Sequence, residues 1–159
     1  MHSPKMKSED ITDVKENLGY TFLHKDLLIR ALTRKAFAQE EKQQGRDCED
    51  QEIYRVLGDA ILKAILVELL IENGHNSRES ITTKKIELEK RESLGNLFRE
   101  LDIASFIRFG LGEQKQGIAQ QSSVLGETFE ALIAAVYLDV KSYETTKNLI
   151  SKLFSSQLT

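Results

Sequence analysis

Apolar residues recur along most of this chain at the three- to four-residue spacing of amphipathic helices. Residues 11–19 predict a short helix that Gly19 ends, and residues 24–37 predict a second helix. Almost no apolar side chain occurs in residues 39–50, where we expect an exposed loop. The inward positions of the second helix are Leu27, Leu28, Ala31 and Leu32.

A longer helix is predicted from about residue 51 to Asn73, with Gly74 ending it. Its predicted inward positions are Ile53, Val56, Leu57, Ala60, Ile61, Ala64, Ile65 and Leu69. Residues 77–103 predict one or two helices facing solvent, and the glycine-rich residues 109–121 predict a loop outside the core.

Two further helices are predicted at 123–139 and 142–154, and the first of them is apolar around most of its circumference. No segment alternates convincingly like a strand, so the predicted fold class is all-α. We expect a frayed tail over residues 1–8, one domain over 9–155 and no second domain.

Composition and charge limit the classes of function that this protein can have. The 159 residues are 40% hydrophobic and 30% charged with one proline, which is typical of a soluble, helix-rich protein. A net charge of −3 argues against a surface covered in positive charge for nucleic acid, so such binding must be local or helped by metal ions. Cys48 has no partner for an internal disulfide, and the longest apolar run is too short to cross a bilayer. We therefore expect a cytoplasmic protein without membrane contact.

Two of the predicted core helices carry acids that a core helix would not ordinarily keep. Glu52, Arg55 and Asp59 share one helical face, and Glu127 and Glu130 lie three positions apart on another helix. Unpaired carboxylates are costly to bury, so a cation should neutralise them. Oxygen ligands without nearby His or Cys suit Mg²⁺ or Mn²⁺, which activate water and hold phosphate in phosphodiester hydrolysis.

A purely structural interpretation is also open at this stage. Arg55 and Asp59 have the spacing of a helical salt bridge, and Glu127 could be a first-turn acid after a serine cap. Gly58, in the middle of its helix, costs roughly 0.5–1 kcal/mol relative to alanine. It therefore suggests close approach by another helix or by a partner chain.

Four segments, in the order LGYTFLHKDLLIRALT, YRVLGDAIL, GLGEQKQG and SSVLGETFEALIAAVYLD, resemble the ribonuclease III catalytic domain. The resemblance runs from about Leu18 to Phe154. It implies an all-α homodimer with two acidic Mg²⁺ sites along a valley that holds double-stranded RNA. It also implies hydrolysis that leaves 5′-phosphate and 3′-hydroxyl ends with a short 3′ overhang. The RNA-binding domain that commonly follows in this family is not expected here, and the sequence fits either a compact single-domain protein or a piece of a longer one.

The resemblance also implies roles for individual residues. Asp59, Glu127 and Glu130 fall on positions expected to bind the metal, and Glu52 falls on a catalytic acid nearer the RNA. Glu127 stands where the family usually has aspartate. Arg55 is the main departure, because the family carries a metal-binding glutamate at that position. The exchange should weaken metal affinity, although a guanidinium could instead bind the scissile phosphate.

The basic residues of the resembling region leave two interpretations open. Lys115 could approach the RNA backbone or be an ordinary solvent lysine, and Lys84, Lys85, Lys90 and Arg91 are interpreted as a solvated helix face. The expected function is a metal-dependent endoribonuclease acting on double-stranded or structured RNA. The alternative is a catalytically silent RNA-binding or ribosome-assembly scaffold, of which Arg55 would be the mark.

Overall fold

The computed structural model describes residues 6–158, which form nine α-helices and two short 3-10 turns. The all-α prediction is confirmed, since within these residues the only β contact is an isolated bridge between Thr33 and Arg108. Most of the predicted tail lies outside the described residues. The helices are α1 Ser8–Leu18, α2 Lys25–Ala31, α3 Lys35–Gln43, α4 Glu52–Glu72, α5 Arg78–Glu89, α6 Arg91–Glu100, α7 Leu111–Gln116, α8 Ser122–Val140 and α9 Tyr143–Leu153.

Helix α8 is the centre of the domain. It packs most extensively against α4 and α6, and it also contacts α2. Its middle residues, from Ala131 to Val136, are fully buried. A helix that is apolar on nearly every side is stable only when neighbours cover it on every side, so the sequence pattern explains this central position.

Gly58 permits the close contact between α4 and α8. A Cβ atom at this position would lie 1.7 Å from the carbonyl oxygen of Glu130. The predicted close approach is therefore made by a helix of the same chain. Gly58 was expected to leave room for another helix or for a partner chain. Because α8 of the same chain fills that space, Gly58 gives no support to a dimer interface.

The predicted helix over residues 24–37 is divided in the structure. Helix α2 ends at Ala31 and α3 begins at Lys35, because the intervening backbone pairs with a distant segment. The amide of Arg108 donates to the carbonyl of Leu32 at 2.8 Å, and the amide of Arg34 donates to the carbonyl of Arg108 at 3.1 Å. Long-range hydrogen bonds of this kind override local helical propensity.

Two predicted loops are partly helical. Helix α3 continues to Gln43, so the polar segment that begins at residue 39 is irregular only after that point. Residues 111–116 of the predicted glycine-rich loop form α7, which Gly117 ends in the left-handed conformation. The expectation that this region stays outside the core is correct, because α7 has no buried residue.

The buried face of α4 differs in part from the predicted one. Ile53 and Val56 are 62% and 72% exposed, whereas Tyr54, Leu62 and Leu66 are buried. Because α4 is rich in apolar residues on several sides, its own sequence does not determine which side α8 covers. We call Ile53 and Val56 the α4 patch. Among the described residues, no helix combines the length and hydropathy needed to span a membrane.

Candidate active site

An open pocket of about 460 Å³ lies where α4, α8 and the junction of α5 with α6 meet. It contains four of the residues that the sequence singled out: Glu52, Arg55, Asp59 and Glu130. The other lining residues are Val56, Lys63, Glu89, Arg91 and Leu94. The structure therefore gathers most of the predicted site into one cavity, from helices that are distant in the chain.

Asp59 and Glu130 share a hydrogen bond across the contact between α4 and α8. Burial, together with the hydrogen bond and negative charge of Asp59, raises the pKa of Glu130 to about 8, against the positive charges of Arg91 and Arg55. Burial also disfavours ionised Asp59, but hydrogen bonds from Glu130 and Lys63 outweigh it and lower the pKa of Asp59. Near neutral pH the two carboxylates therefore keep one proton between them.

Lys63 explains part of this asymmetry. Its ammonium group lies 3.2 Å from Oδ2 of Asp59, one helical turn away on α4. The salt bridge that the sequence allowed between Arg55 and Asp59 does not form, since Arg55 turns towards other acids. Asp59 and Lys63 have the i, i+4 spacing of a helical salt bridge, so this pair is also indicated by the sequence.

Glu127 does not line the pocket and is surrounded by three guanidinium groups. Nη2 of Arg55 contacts its Oε2 atom, and Nη1 of Arg91 lies 3.0 Å from the same oxygen. Nη1 of Arg34 lies 3.4 Å from Oε1. Glu127 also lies beyond the first turn of α8, so arginines rather than the helix dipole neutralise it.

Arg55 is held by two acids. Its Nη1 atom donates to Oε2 of Glu52 at 2.6 Å, while Nη2 contacts Glu127. Its Nε atom is buried and has no hydrogen-bond partner. Arg55 therefore links the half-exposed acid at the start of α4 to a largely buried acid of α8.

Arg34 is a residue that the sequence gave no reason to select. Besides Glu127, it forms an ion pair of 2.9 Å with Glu113 of α7. Its partners are 79 and 93 positions away in the chain, so no local pattern could indicate them. Lys115, in the same short helix as Glu113, is exposed and is not part of the pocket.

The donor atoms of the pocket suit a divalent cation only in part. Within residues 6–158, no three Asp, Glu, His or Cys side chains are grouped closely enough to hold a metal ion. Asp59 and Glu130 do form a close carboxylate pair, and Mg²⁺ is commonly bound by one or two carboxylates together with water and phosphate. This pair fits Mg²⁺ or Mn²⁺, and the predicted contribution of Glu127 stays a prediction.

The chain is similar in sequence to named ribonucleases. The family model described as ribonuclease-III-like matches residues 24–158. Ribonuclease 3 of Pseudomonas syringae pv. tomato is 38% identical over 133 residues, which are 83% of this chain and 54% of that protein. Ribonuclease 3 of Pseudothermotoga lettingae is 32% identical over 137 residues, which are 85% of this chain and 58% of that protein. The chain thus spans little more than half the length of these relatives.

The fold is also similar to a solved structure. The nuclease domain of ribonuclease III from Campylobacter jejuni, described with flexibility in a region involved in dimer formation, superposes with a TM-score of 0.81. It is 26% identical, and the match covers 92% of this chain and 97% of that domain. Because the family model covers most of the chain and the fold agrees with it, this protein belongs to the ribonuclease-III-like family.

Proposed function

We propose that this protein is an endoribonuclease that hydrolyses phosphodiester bonds in double-stranded or structured RNA with the help of Mg²⁺ or Mn²⁺. The observation that supports this most is the pair of carboxylates, Asp59 and Glu130, which meet at an open pocket. A divalent cation bound by them would supply an activated water molecule and neutralise charge on the phosphate. Family membership supports the same reaction class.

Each pocket residue has a proposed task. Asp59 and Glu130 bind the cation, and Glu130 releases its proton when the cation binds. Glu52, which is half exposed at the rim, faces the RNA as a further catalytic acid. Lys63 orients Asp59 through their ion pair and adds positive charge near the phosphate.

A second candidate function follows from the contact between Arg55 and Glu127. If Glu127 stays with its arginines, the site keeps only two of the three predicted metal ligands. A domain of this kind would bind RNA as a scaffold, for example in ribosome assembly, without cleaving it. The contact favours this alternative, whereas the Asp59–Glu130 pair favours the nuclease.

We also propose that two copies associate through the α4 patch. Ile53 and Val56 are large, exposed and apolar, and Val56 lines the pocket, so a partner at this face would border the site. A second copy is the proposed partner because the similar Campylobacter jejuni domain is described with a region involved in dimer formation. Two copies would place two pockets along one RNA duplex.

Cleavage of a labelled RNA duplex, with Mg²⁺, with Mn²⁺ and with EDTA, tests the proposed reaction. We expect metal-dependent products from the wild type and a loss of more than about 100-fold in Glu130→Gln. Glu100→Gln is the matched control, because Glu100 is exposed on α6 away from the pocket. Duplex binding without cleavage at any metal concentration would support the scaffold instead.

A further inference from the structure

We propose that Arg91 binds a backbone phosphate of the RNA at this pocket, while Arg55 acts as the fixed counter-ion of Glu127. This inference rests on the proposed RNA substrate. It reverses the sequence-based expectations, in which Arg55 was the candidate for the phosphate and Arg91 belonged to a solvated helix face. The two guanidinium groups line the same cavity but differ in exposure and in their partners.

Arg55 has little capacity left for a ligand. One terminal nitrogen donates to Glu52 and the other contacts Glu127, while Nε is enclosed by protein. The side chain is 25% exposed. Binding a phosphate would require Arg55 to leave at least one carboxylate, so the gain from the phosphate would be offset by a lost ion pair.

Arg91 has the opposite properties. Its side chain is 55% exposed, and within residues 6–158 its single charged partner is Glu127, which it meets through Nη1. A guanidinium has five N–H donors in a planar fork, which matches two oxygens of a phosphate. Most of the donors of Arg91 are therefore free to bind a ligand at the pocket.

Glu127 would remain neutralised if Arg91 turned towards a phosphate. Arg55 and Arg34 would still contact its carboxylate, one at each oxygen. Transfer of Arg91 from Glu127 to RNA therefore leaves no buried charge without a partner, which is the usual penalty for breaking an ion pair. The same transfer by Arg55 would separate Glu52 or Glu127 from its closest cation.

The backbone at Arg91 is also well fixed. A Cβ atom at Gly126 of α8 would lie 2.9 Å from the carbonyl oxygen of Arg91, so the two backbones are in close contact. The following turn of α6 buries Leu94 and Leu97. The guanidinium thus extends from a rigid base into the cavity that holds Asp59 and Glu130, which limits the entropy lost when it binds.

Binding of a fluorescent RNA duplex, measured by anisotropy in EDTA over a range of salt concentrations, tests the assignment. We expect Arg91→Gln to weaken binding about tenfold. It should also reduce the salt slope, which is the slope of the logarithm of the binding constant against the logarithm of salt concentration, by about one, as loss of one phosphate contact should. Arg91→Lys should retain part of the affinity, because it keeps the charge and loses the fork.

Two variants serve as controls. Lys90→Gln removes the same charge at the adjacent, exposed residue, which does not line the pocket, and should leave the affinity within about twofold. Arg55→Gln should lower the melting temperature but leave the salt slope unchanged. Equal binding by Arg91→Gln and Lys90→Gln, a smaller slope in Arg55→Gln, or no duplex binding by the wild type would each overturn the proposal. Binding without cleavage would overturn only the proposed nuclease reaction.

Discussion

Arg55 of α4 contacts the carboxylate of Glu127 of α8, and so joins the two longest helices of the domain through opposite charges. The family resemblance implies a metal-binding acid at both positions. In this chain an internal guanidinium therefore provides positive charge beside a carboxylate that was predicted to be a metal ligand. Glu127 itself does not line the pocket that contains Asp59 and Glu130.

Arg55→Glu should convert this ion pair into a repulsion. Without metal, we expect the free energy of unfolding to fall by about 1–3 kcal/mol, since Arg34 and Arg91 still partly neutralise Glu127. Added Mg²⁺ should restore stability by binding the native state, and duplex cleavage should increase. Thermal melts across a Mg²⁺ titration measure the loss of stability and its restoration. Arg55→Gln is the control. It should be destabilised, and its stabilisation by Mg²⁺ should not exceed that of the wild type. Equal stabilisation of the two variants by Mg²⁺ would contradict the prediction.

Glu130→Gln should change how stability depends on pH. In the wild type without metal, native Glu130 keeps its proton up to about pH 8, whereas the unfolded chain releases it near the ordinary value of 4.5. The native state therefore binds more protons between these values, so wild-type stability should fall as pH rises through this window.

Glutamine cannot ionise and can still donate a hydrogen bond to Asp59. We expect the variant to avoid this loss and to be more stable than the wild type by about 2–4 kcal/mol above pH 8, with little difference near pH 4. Urea unfolding from pH 4 to 9 in EDTA gives both curves, with Glu100→Gln as the control that should follow the wild type. Parallel curves for the wild type and Glu130→Gln would refute the shared-proton arrangement.

Gly58→Ala should separate α4 from α8. The new methyl group would overlap the carbonyl of Glu130, so the helices must move apart and displace Glu130 from Asp59. We expect a loss of about 1–3 kcal/mol in unfolding free energy, despite the better helix propensity of alanine, and a loss of cleavage. Gly112→Ala in α7 is the matched control, because no atom beyond its chain neighbours and its own helix backbone lies within 4 Å of the added group. Equal stability of the two variants in urea would contradict the close contact between α4 and α8.

Val56→Glu should disrupt the proposed dimer. A charged side chain in the α4 patch would have to be buried in an apolar interface of at least about 1,000 Å². Light scattering at micromolar concentration should give a dimer for the wild type and a monomer for the variant. Ile71→Glu is the control, since Ile71 is also exposed but lies about 22 Å further along the axis of α4. A monomeric wild type would contradict the proposed association.

The sequence alone determined the helical architecture. Hydrogen bonds within a helix join residues four positions apart, so the apolar periodicity of α4 and α8 and the stop at Gly19 could be read locally. The acids also stood out locally, because Glu52 and Asp59 interrupt a segment that otherwise has a core composition. Together with the family resemblance, these interruptions were enough to select four residues that line one pocket.

Only the tertiary structure decided how the charges are paired. Glu127 contacts Arg34, Arg55 and Arg91, which come from three different regions of the chain. Their convergence depends on how α4, α6, α8 and the segment between α2 and α3 pack. The interruption between α2 and α3 likewise required the backbone of Arg108, which is distant in sequence. Ion pairs and backbone bonds between remote segments depend on relative helix positions, and local periodicity carries no information about those positions.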